Sequence, residues 1–376
     1  MRVIFTGGGT LGHVVPNLAV IEEFIKRSRK HEILYIGAKN GPEKEAVNKF
    51  AQKNALKNLQ VREIICGKLR RYFSFKNFID AFKVPIGIIQ SVRIINKFKP
   101  HIVFSKGGFV GVHVVVGCAL VNFKNKIFKR EAYGEMKIHI FIHESDVEMG
   151  LSNKISCRFA DKIFVSFEET KRYFGKRSVK TRRDRIVVSG NPIRAEILKG
   201  SKENGLKLCG FHRFKPVILV MGGSLGSMQV NKLTWNNLDK LLGKFQVAHI
   251  VGKGNLDFGL KKQGYKQFEL LFDELKDVYA ASDVVVSRGG ANSLAEIASL
   301  EKMAVIIPLN TVSSRGDQIT NAKVCAEEYG WQVLYSDVSD EQFLRAIDFA
   351  SSEKFKGGNI LHKKASKIIV DLMMEI

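Results

Sequence analysis

Short, unbroken runs of apolar residues recur along the chain, and each ends in glycine or a polar cluster. Val3–Thr6 runs into GGGTLGH, Ile102–Phe104 into SKGGFVG, and Ile138–Ile142 into HESD. Val217–Met221 runs into GGSLGS, and Val284–Ser287 into RGGANS. Between them lie amphipathic stretches such as Asn17–Arg27 and Leu294–Leu300. Runs without polar alternation predict strands covered on both faces, and helices between them predict parallel sheets of the α/β class. A strand–glycine loop–helix unit opens the chain as FTGGGTLG and returns near its middle as VMGGSLGS, which predicts two Rossmann-like, doubly wound domains. The join is expected near SGNPIR, residues 189–194, where Asn191-Pro192 signals a turn after the basic stretch KRYFGKRSVKTRRDR. The domains are therefore set at 1–190 and 191–355. Ligands of such folds bind at the carboxyl ends of the strands, so the glycine loops are expected to face one central cleft.

Length and composition agree with this picture. A chain of 376 residues exceeds what one core of roughly 250–300 residues usually supports. Its 45% hydrophobic content is that of a globular protein. Val3-Ile4-Phe5 is too short for a signal-peptide core, and no apolar run is expected to reach the ~18–20 residues needed to cross a bilayer. The five cysteines are scattered without a CxxC spacing, which points to reduced thiols and to neither a disulfide framework nor a metal site. The net charge of +23 favours anionic partners: nucleic acid, phosphorylated small molecules or an anionic membrane.

Five segments carry candidate chemistry. GGGTLGH offers close backbone approach and the unpaired amides of a helix start. It lacks both a GK[ST] and a GxGxxG context with a ribose-binding acid. His13 is read either as a helix-start residue or as a proton acceptor, the dipole there disfavouring its protonated form. In GGSLGS, Ser224 and the amides around Gly226 suit a phosphate. SRGGANSLAEIA places Asn292 and Ser293 as helix caps and Glu296 one turn inside, where a carboxylate can accept two ribose hydroxyls. In SSRGDQITNA, Asp317 and Gln318 open a helix and suit sugar hydroxyls. Finally, residues 67–99 carry eight Lys/Arg against one acid, Asp80, interleaved with Phe73, Phe75, Phe78, Phe82, Ile86, Ile88 and Ile89. That mixture fits an anionic membrane face or a core helix with solvated lysines. Nucleic-acid binding is not expected, because no zinc finger, RNP-like motif or helix-turn-helix is present.

GGGTLGHVVPNLA, SKGGFVG, HES, GNPIR, GGSLGS, RGGANSLAEIA and GDQITNA, in this order, resemble the MurG family, the N-acetylglucosaminyltransferases of bacterial peptidoglycan synthesis. The resemblance covers nearly the whole chain. It implies a GT-B fold with a C-terminal helix, about 356–376, returning to the N-terminal domain. It also implies an inverting transfer of GlcNAc from UDP-GlcNAc to the C4 hydroxyl of MurNAc in undecaprenyl-pyrophosphoryl-MurNAc-pentapeptide, lipid I becoming lipid II. No metal or other cofactor is implied, and the expected place is peripheral, on the cytoplasmic face of the cell membrane, with cell-wall synthesis proteins as further partners. By resemblance Gly8, Gly9, Gly107 and Gly108 face the acceptor diphosphate, and His13 or Glu144 is the general base. Thr10, Gly12, Arg194, Ser224, Gly226, Phe272, Arg288, Glu296, Asp317 and Gln318 address the donor. Arg70, Arg71, Phe73, Phe75 and Phe82 are the expected membrane contacts. The chain departs from the family at Leu11, Asp146 and Leu225, and it carries an extra basic segment at 122–137, expected to be a surface loop or, alternatively, a membrane contact. The alternatives are another GT-B enzyme, such as a lipid glycosyltransferase or a UDP-GlcNAc 2-epimerase, and a non-catalytic basic membrane-binding protein.

Overall fold

The computed structural model describes residues 1–67, 75–128, 137–174, 183–223, 226–309, 316–358 and 360–376; for Leu11, residues 75–81, Phe128 and Arg183 only the backbone is described. Two compact units emerge. Unit 1 is Met1–Pro192 together with Lys364–Ile376, and unit 2 is Ile193–Lys363.

Unit 1 is built on seven parallel strands: β1 (Arg2–Thr6), β2 (Glu32–Ala38), β3 (Leu59–Ile64), β4 (Ile102–Ser105), β5 (His139–Glu144), β6 (Lys162–Val165) and β7 (Ile186–Val188). Their spatial order is β3-β2-β1-β4-β5-β6-β7. The helices are α1 (Leu11–Arg27), α2 (Glu43–Lys53), α3 (Phe75–Phe98), α4 (Gly108–Phe128), α5 (Leu151–Ser156) and, from the chain's end, α13 (Ala365–Met374). Side chains alternate across a strand. Ile4, Val103, Ile140 and Ile163 therefore meet Val110, Val114 and Cys118 of α4 on one face. Val3, Phe5, Phe104, Phe141 and Phe164 meet Val20 and Phe24 of α1 and Ile369, Val370 and Met373 of α13 on the other. Two covered faces explain why these strands read as unbroken apolar runs. The returning helix is held further by an ion pair between Arg27 and Asp371.

Unit 2 repeats the plan with six parallel strands: β8 (Val217–Met221), β9 (Gln246–Ile250), β10 (Tyr265–Phe268), β11 (Val284–Ser287), β12 (Met303–Ile306) and β13 (Gln332–Val333). They lie in the order β10-β9-β8-β11-β12-β13. Its helices are α6 (Lys202–Cys209), α7 (Met228–Asn236), α8 (Leu238–Lys244), α9 (Leu275–Ala281), α10 (Ala291–Ser299), α11 (Asp317–Tyr329) and α12 (Asp340–Ser352). The strand order reverses between β1 and β4 in unit 1, and between β8 and β11 in unit 2. The four glycine loops follow those four strands, so each pair flanks a switch point at the carboxyl ends, where α/β sheets bind ligands.

Three expectations need correction. The stretch Gly108–Ile127 is long and apolar enough to span a bilayer by length and composition, although 50% of it is buried inside unit 1. A helix packed on a sheet through one face passes the same test. The basic segment at 122–137 is not a loop throughout, because residues 122–128 continue α4; 129–136 lie outside the described residues. The cap of α10 is Gly290, with φ −74° and ψ 128°, and Asn292 and Ser293 fall in the helix's first turn.

Candidate active site

In unit 1 the site is assembled from the ends of β1, β4 and β5. Thr10 is the extended N-cap of α1, with φ −152° and ψ 157°, and its carbonyl accepts the His13 amide at 3.2 Å. Gly12 and His13 thus lie in the first turn of α1. The His13 Nδ1 lies 3.2 Å from the Lys106 carbonyl oxygen. A carbonyl only accepts, so Nδ1 carries a proton, and in the neutral ring Nε2 then holds the lone pair. That is the tautomer a proton acceptor needs.

The two unit 1 glycine loops touch. A Cβ on Gly108, whose φ is +75°, would stand 2.3 Å from the Gly8 carbonyl oxygen and 3.2 Å from Cδ2 of His13. Any side chain there would force the loops apart. Beneath the first loop lies Glu43, fully buried at the start of α2. Its Oε1 accepts the Gly9 amide at 2.6 Å, and a Cβ on Gly8 would come within 2.0 Å of that oxygen. The Gly9 amide, expected to face a diphosphate, is therefore committed to a carboxylate. Oε2 of Glu43 is buried with no hydrogen-bond partner among the described residues.

Glu144, the other candidate base, is also buried, and both its oxygens hold the loop after β5. Oε1 accepts the Asp146 amide at 3.1 Å. Oε2 accepts the Gly150 amide at 2.9 Å and Nδ2 of Asn153 at 3.0 Å. Its geometry is that of a loop anchor. Lys106, quoted in SKGG but given no role from the sequence, is 1% exposed. Its Nζ reaches His143 Nδ1 at 2.6 Å, Asn191 Oδ1 at 2.9 Å and the Ser145 hydroxyl. Burial pulls the ammonium down to about 7, against the opposing pull of Glu144 and Asp146.

In unit 2 the corresponding loops follow β8 and β11. Gly226 has φ +76°, and a Cβ there would stand 2.2 Å from the Val251 carbonyl oxygen. The Ser227 hydroxyl caps α7. Ser224 and Leu225 lie outside the described residues. Arg288 follows β11, its Nη1 donating to the Gly222 carbonyl at 3.4 Å while Nε is buried with no hydrogen-bond partner among the described residues. Burial lowers its pKa. The guanidinium is thus drawn against the GGS loop rather than out into water.

Arg194, expected to serve the diphosphate, is instead paired with Glu296. Nη2 and Nε donate to Oε1 at 3.0 and 3.3 Å. Burial alone would lower the arginine's pKa, but the Glu296 charge and these bonds outweigh it, and the net direction is up. The buried Tyr279, whose hydroxyl meets Sδ of Met221 at 3.2 Å, lies in the field of the same carboxylate. Asp317 opens α11, capped by Gly316, and Gln318 accepts the Leu309 amide through Oε1 at 3.2 Å, which ties the helix start to the end of β12. Phe272 is 55% exposed. Of the membrane residues, Arg70, Arg71 and Phe73 lie outside the described residues, as does the side chain of Phe75. Phe82 on α3 is 62% exposed.

Sequence reasoning missed Glu43 and Lys106. Long charged side chains are almost never fully buried unless paired, and no local signal marks the exceptions.

Comparison with known proteins sharpens this reading. The profile of the glycosyltransferase family 28 N-terminal domain matches residues 3–165, and that of the family 28 C-terminal domain matches residues 217–368. The chain is 42% identical, over 100% of its length and 97% of the relative's, to a UDP-N-acetylglucosamine–N-acetylmuramyl-(pentapeptide) pyrophosphoryl-undecaprenol N-acetylglucosamine transferase of Clostridium botulinum. A Bacillus cereus protein of the same name, numbered 2, is 40% identical over 97% of this chain and 94% of its own. Among solved structures, MurG of Acinetobacter baumannii matches with a TM-score of 0.68 at 19% identity, covering 100% and 99% of the two chains. A UDP-GlcNAc 2-epimerase of Neisseria meningitidis matches equally well in fold, TM-score 0.68 at 12% identity, covering 100% of both chains. Those two likenesses carry the fold alone; the family rests on the sequence matches. The chain belongs to glycosyltransferase family 28, among the UDP-N-acetylglucosamine–N-acetylmuramyl-(pentapeptide) pyrophosphoryl-undecaprenol N-acetylglucosamine transferases.

Proposed function

We propose that this protein transfers N-acetylglucosamine from UDP-GlcNAc to the C4 hydroxyl of MurNAc in undecaprenyl-pyrophosphoryl-MurNAc-pentapeptide, with inversion. The observation that carries this is 42% identity over the entire chain to a transferase of that name. The UDP-GlcNAc 2-epimerase of Neisseria meningitidis shares the fold at only 12% identity.

The chemistry divides between the units. In unit 1, His13 takes the proton of the acceptor hydroxyl on Nε2 while Nδ1–H stays on the Lys106 carbonyl. Glu144 keeps the β5 loop in place. Amides of the touching loops around Gly8, Gly107 and Gly108 serve the acceptor diphosphate; Gly9 shapes the loop through Glu43. In unit 2, Glu296 accepts the ribose hydroxyls on a carboxylate oriented by Arg194. Ser224, the Gly226 amide and Arg288 meet the diphosphate whose negative charge grows as UDP departs, which fixed donors stabilise best. Phe272 reads the base through its backbone, and Asp317 and Gln318 read the GlcNAc hydroxyls. Thr10 and Gly12, beside His13 at the start of α1, serve the transferred sugar.

The protein works as a peripheral enzyme on the anionic cytoplasmic leaflet. What supports this is an apolar, basic face of unit 1. Phe82, Ile86 and Ile89 on α3, and Leu120, Phe123 and Ile127 on α4, are exposed among Lys83, Lys124 and Lys126. The two helices pack closely, Gly87 against His113 and Gly117 against Ser91, so these residues ride on one rigid pair. The membrane also supplies the acceptor. The test is transfer of radiolabelled GlcNAc from UDP-GlcNAc to a lipid I analogue in vesicles. Labelled lipid II is expected; donor hydrolysis or epimerisation without transfer would overturn the reading.

A further inference from the structure

Lys106 is a long, charged side chain driven inside a sheet's carboxyl edge, and its partners explain why. Its amide donates to the Thr6 carbonyl at 2.9 Å, joining the ends of β4 and β1. Its Nζ then crosses beneath the loops to acceptors 37, 39 and 85 residues away: Nδ1 of His143, the Ser145 hydroxyl and Oδ1 of Asn191. His143 is itself fixed, because its Nε2 lies 2.9 Å from the Gly190 carbonyl oxygen. Nε2 must therefore donate, which leaves Nδ1 as the acceptor for the ammonium. One cation thus ties together the β4 loop, the β5 loop and the Ser189–Pro192 segment. The same residue's carbonyl accepts His13 Nδ1–H. Satisfying a buried lysine with three acceptors is costly to assemble and costly to break, and burial already weakens its hold on its proton, with His143, Glu144 and Asp146 as its titratable neighbours.

We propose that Lys106 is a positioning residue for His13: its three-acceptor clamp fixes the 105–107 backbone so that the Lys106 carbonyl holds the His13 ring in the tautomer and orientation that accept the acceptor's proton. This rests on the reading of His13 as the base. The side chain itself does not touch substrate, since it is closed off beneath the loops. It acts through one hydrogen bond, and its loss misaligns a ring rather than removing a reactive group. Groups that act as a unit are strongly non-additive when deleted.

The experiment is a double-mutant cycle on the full-length enzyme, reading kcat with both substrates saturating and the Kd for UDP by calorimetry. Lys106→Met keeps the stem and deletes the clamp. It is expected to lower kcat about ten-fold or more in the wild-type background, but less than about two-fold when His13 is already alanine, with the UDP Kd unchanged. An equal loss in both backgrounds would mean that Lys106 acts through the fold at large, which overturns the proposal and leaves His13 as base. If His13→Ala alone turns over near the wild-type rate, the base reading falls and the proposal with it. Should Lys106→Met fail to fold, Ser145→Ala replaces it in the same cycle. It removes one acceptor, with an expected loss of about three-fold that likewise vanishes without His13; wild-type kcat in Ser145→Ala would then overturn the proposal.

Discussion

Arg194 and Glu296, 102 residues apart in sequence, form an ion pair in unit 2 with Nη2 3.0 Å from Oε1. Arg194 is the second residue of unit 2, so the start of the unit is fastened to α10, the helix that carries Glu296. The pairing orients the carboxylate, and it removes the arginine from the list of free phosphate ligands.

Donor affinity should report that pairing. Glu296→Ala is expected to weaken UDP and UDP-GlcNAc alike by about 1.5–3 kcal/mol, the range for a hydrogen bond to a charged group. Arg194→Ala should weaken both by a similar amount, and the double variant should lose little more than either single one. Calorimetry showing additive losses would mean that Arg194 contacts the donor independently. If Gln318 reads the GlcNAc hydroxyls as proposed, Gln318→Ala should weaken UDP-GlcNAc and spare UDP; equal losses for both ligands would move Gln318 off the sugar.

Turnover should separate the two candidate bases. His13→Ala and His13→Gln are both expected to lower kcat by roughly 10²–10⁴, the range for losing a general base, with donor affinity retained. Glu144→Gln keeps an acceptor oxygen for part of the loop's three hydrogen bonds and should lose less turnover than either His13 variant, together with some thermal stability of unit 1. The decisive contrary result is a fast His13→Gln beside a slow Glu144→Gln across the pH range, which would make the carboxylate the base.

Vesicle binding should depend on both α3 and α4. Replacing Phe82 and Phe123, 62% and 63% exposed, by serine is expected to weaken sedimentation with anionic vesicles about ten-fold or more per residue, in line with the burial of an aromatic side chain. Serine at Arg70, Arg71 and Lys76 should weaken it further, and added salt should do the same, since surface attraction is screened within about 8 Å at physiological ionic strength. UDP affinity should not move. Binding that ignores both salt and the phenylalanines would return these helices to a purely structural role.

Unit 2 should be acid-sensitive through His249. This ring is buried between the Tyr265 hydroxyl and Oδ1 of Asn231, each 3.0 Å away, and burial lowers its pKa from 6.5 to about 3. The unfolded chain therefore binds the extra proton between those two values, and stability falls as pH drops from 6.5 toward 3, by about 1.4 kcal/mol per pH unit for one proton. Both tryptophans, Trp235 and Trp331, lie in unit 2, so their fluorescence during urea unfolding follows this unit alone. His249→Gln should be less stable at neutral pH yet lose less on acidification. A parallel acid loss in variant and wild type would assign the sensitivity to other groups.

The sequence by itself determined the two parallel sheets and the positions of the glycine loops. Strands buried on both faces must be apolar at successive positions, and a backbone turning into a helix against another loop must be glycine where a Cβ would collide; both are local demands that leave local marks. Val217–Met221 and Val284–Ser287 are legible to the residue for that reason. The family motifs likewise placed His13 and Gln318 in the first turns of helices and Glu296 more than a turn inside one. Only the tertiary structure decided who partners whom. That Glu43 takes the Gly9 amide, that Glu144 holds a loop, that Arg194 pairs with Glu296 and that Lys106 is buried against His143 and Asn191 all depend on strand order. The sheet brings β1 beside β4 and β4 beside β5, and so sets side chains from distant segments within 3 Å. A charged residue carries no sequence mark of the direction it will face, because that direction is fixed by acceptors that only the folded sheet assembles.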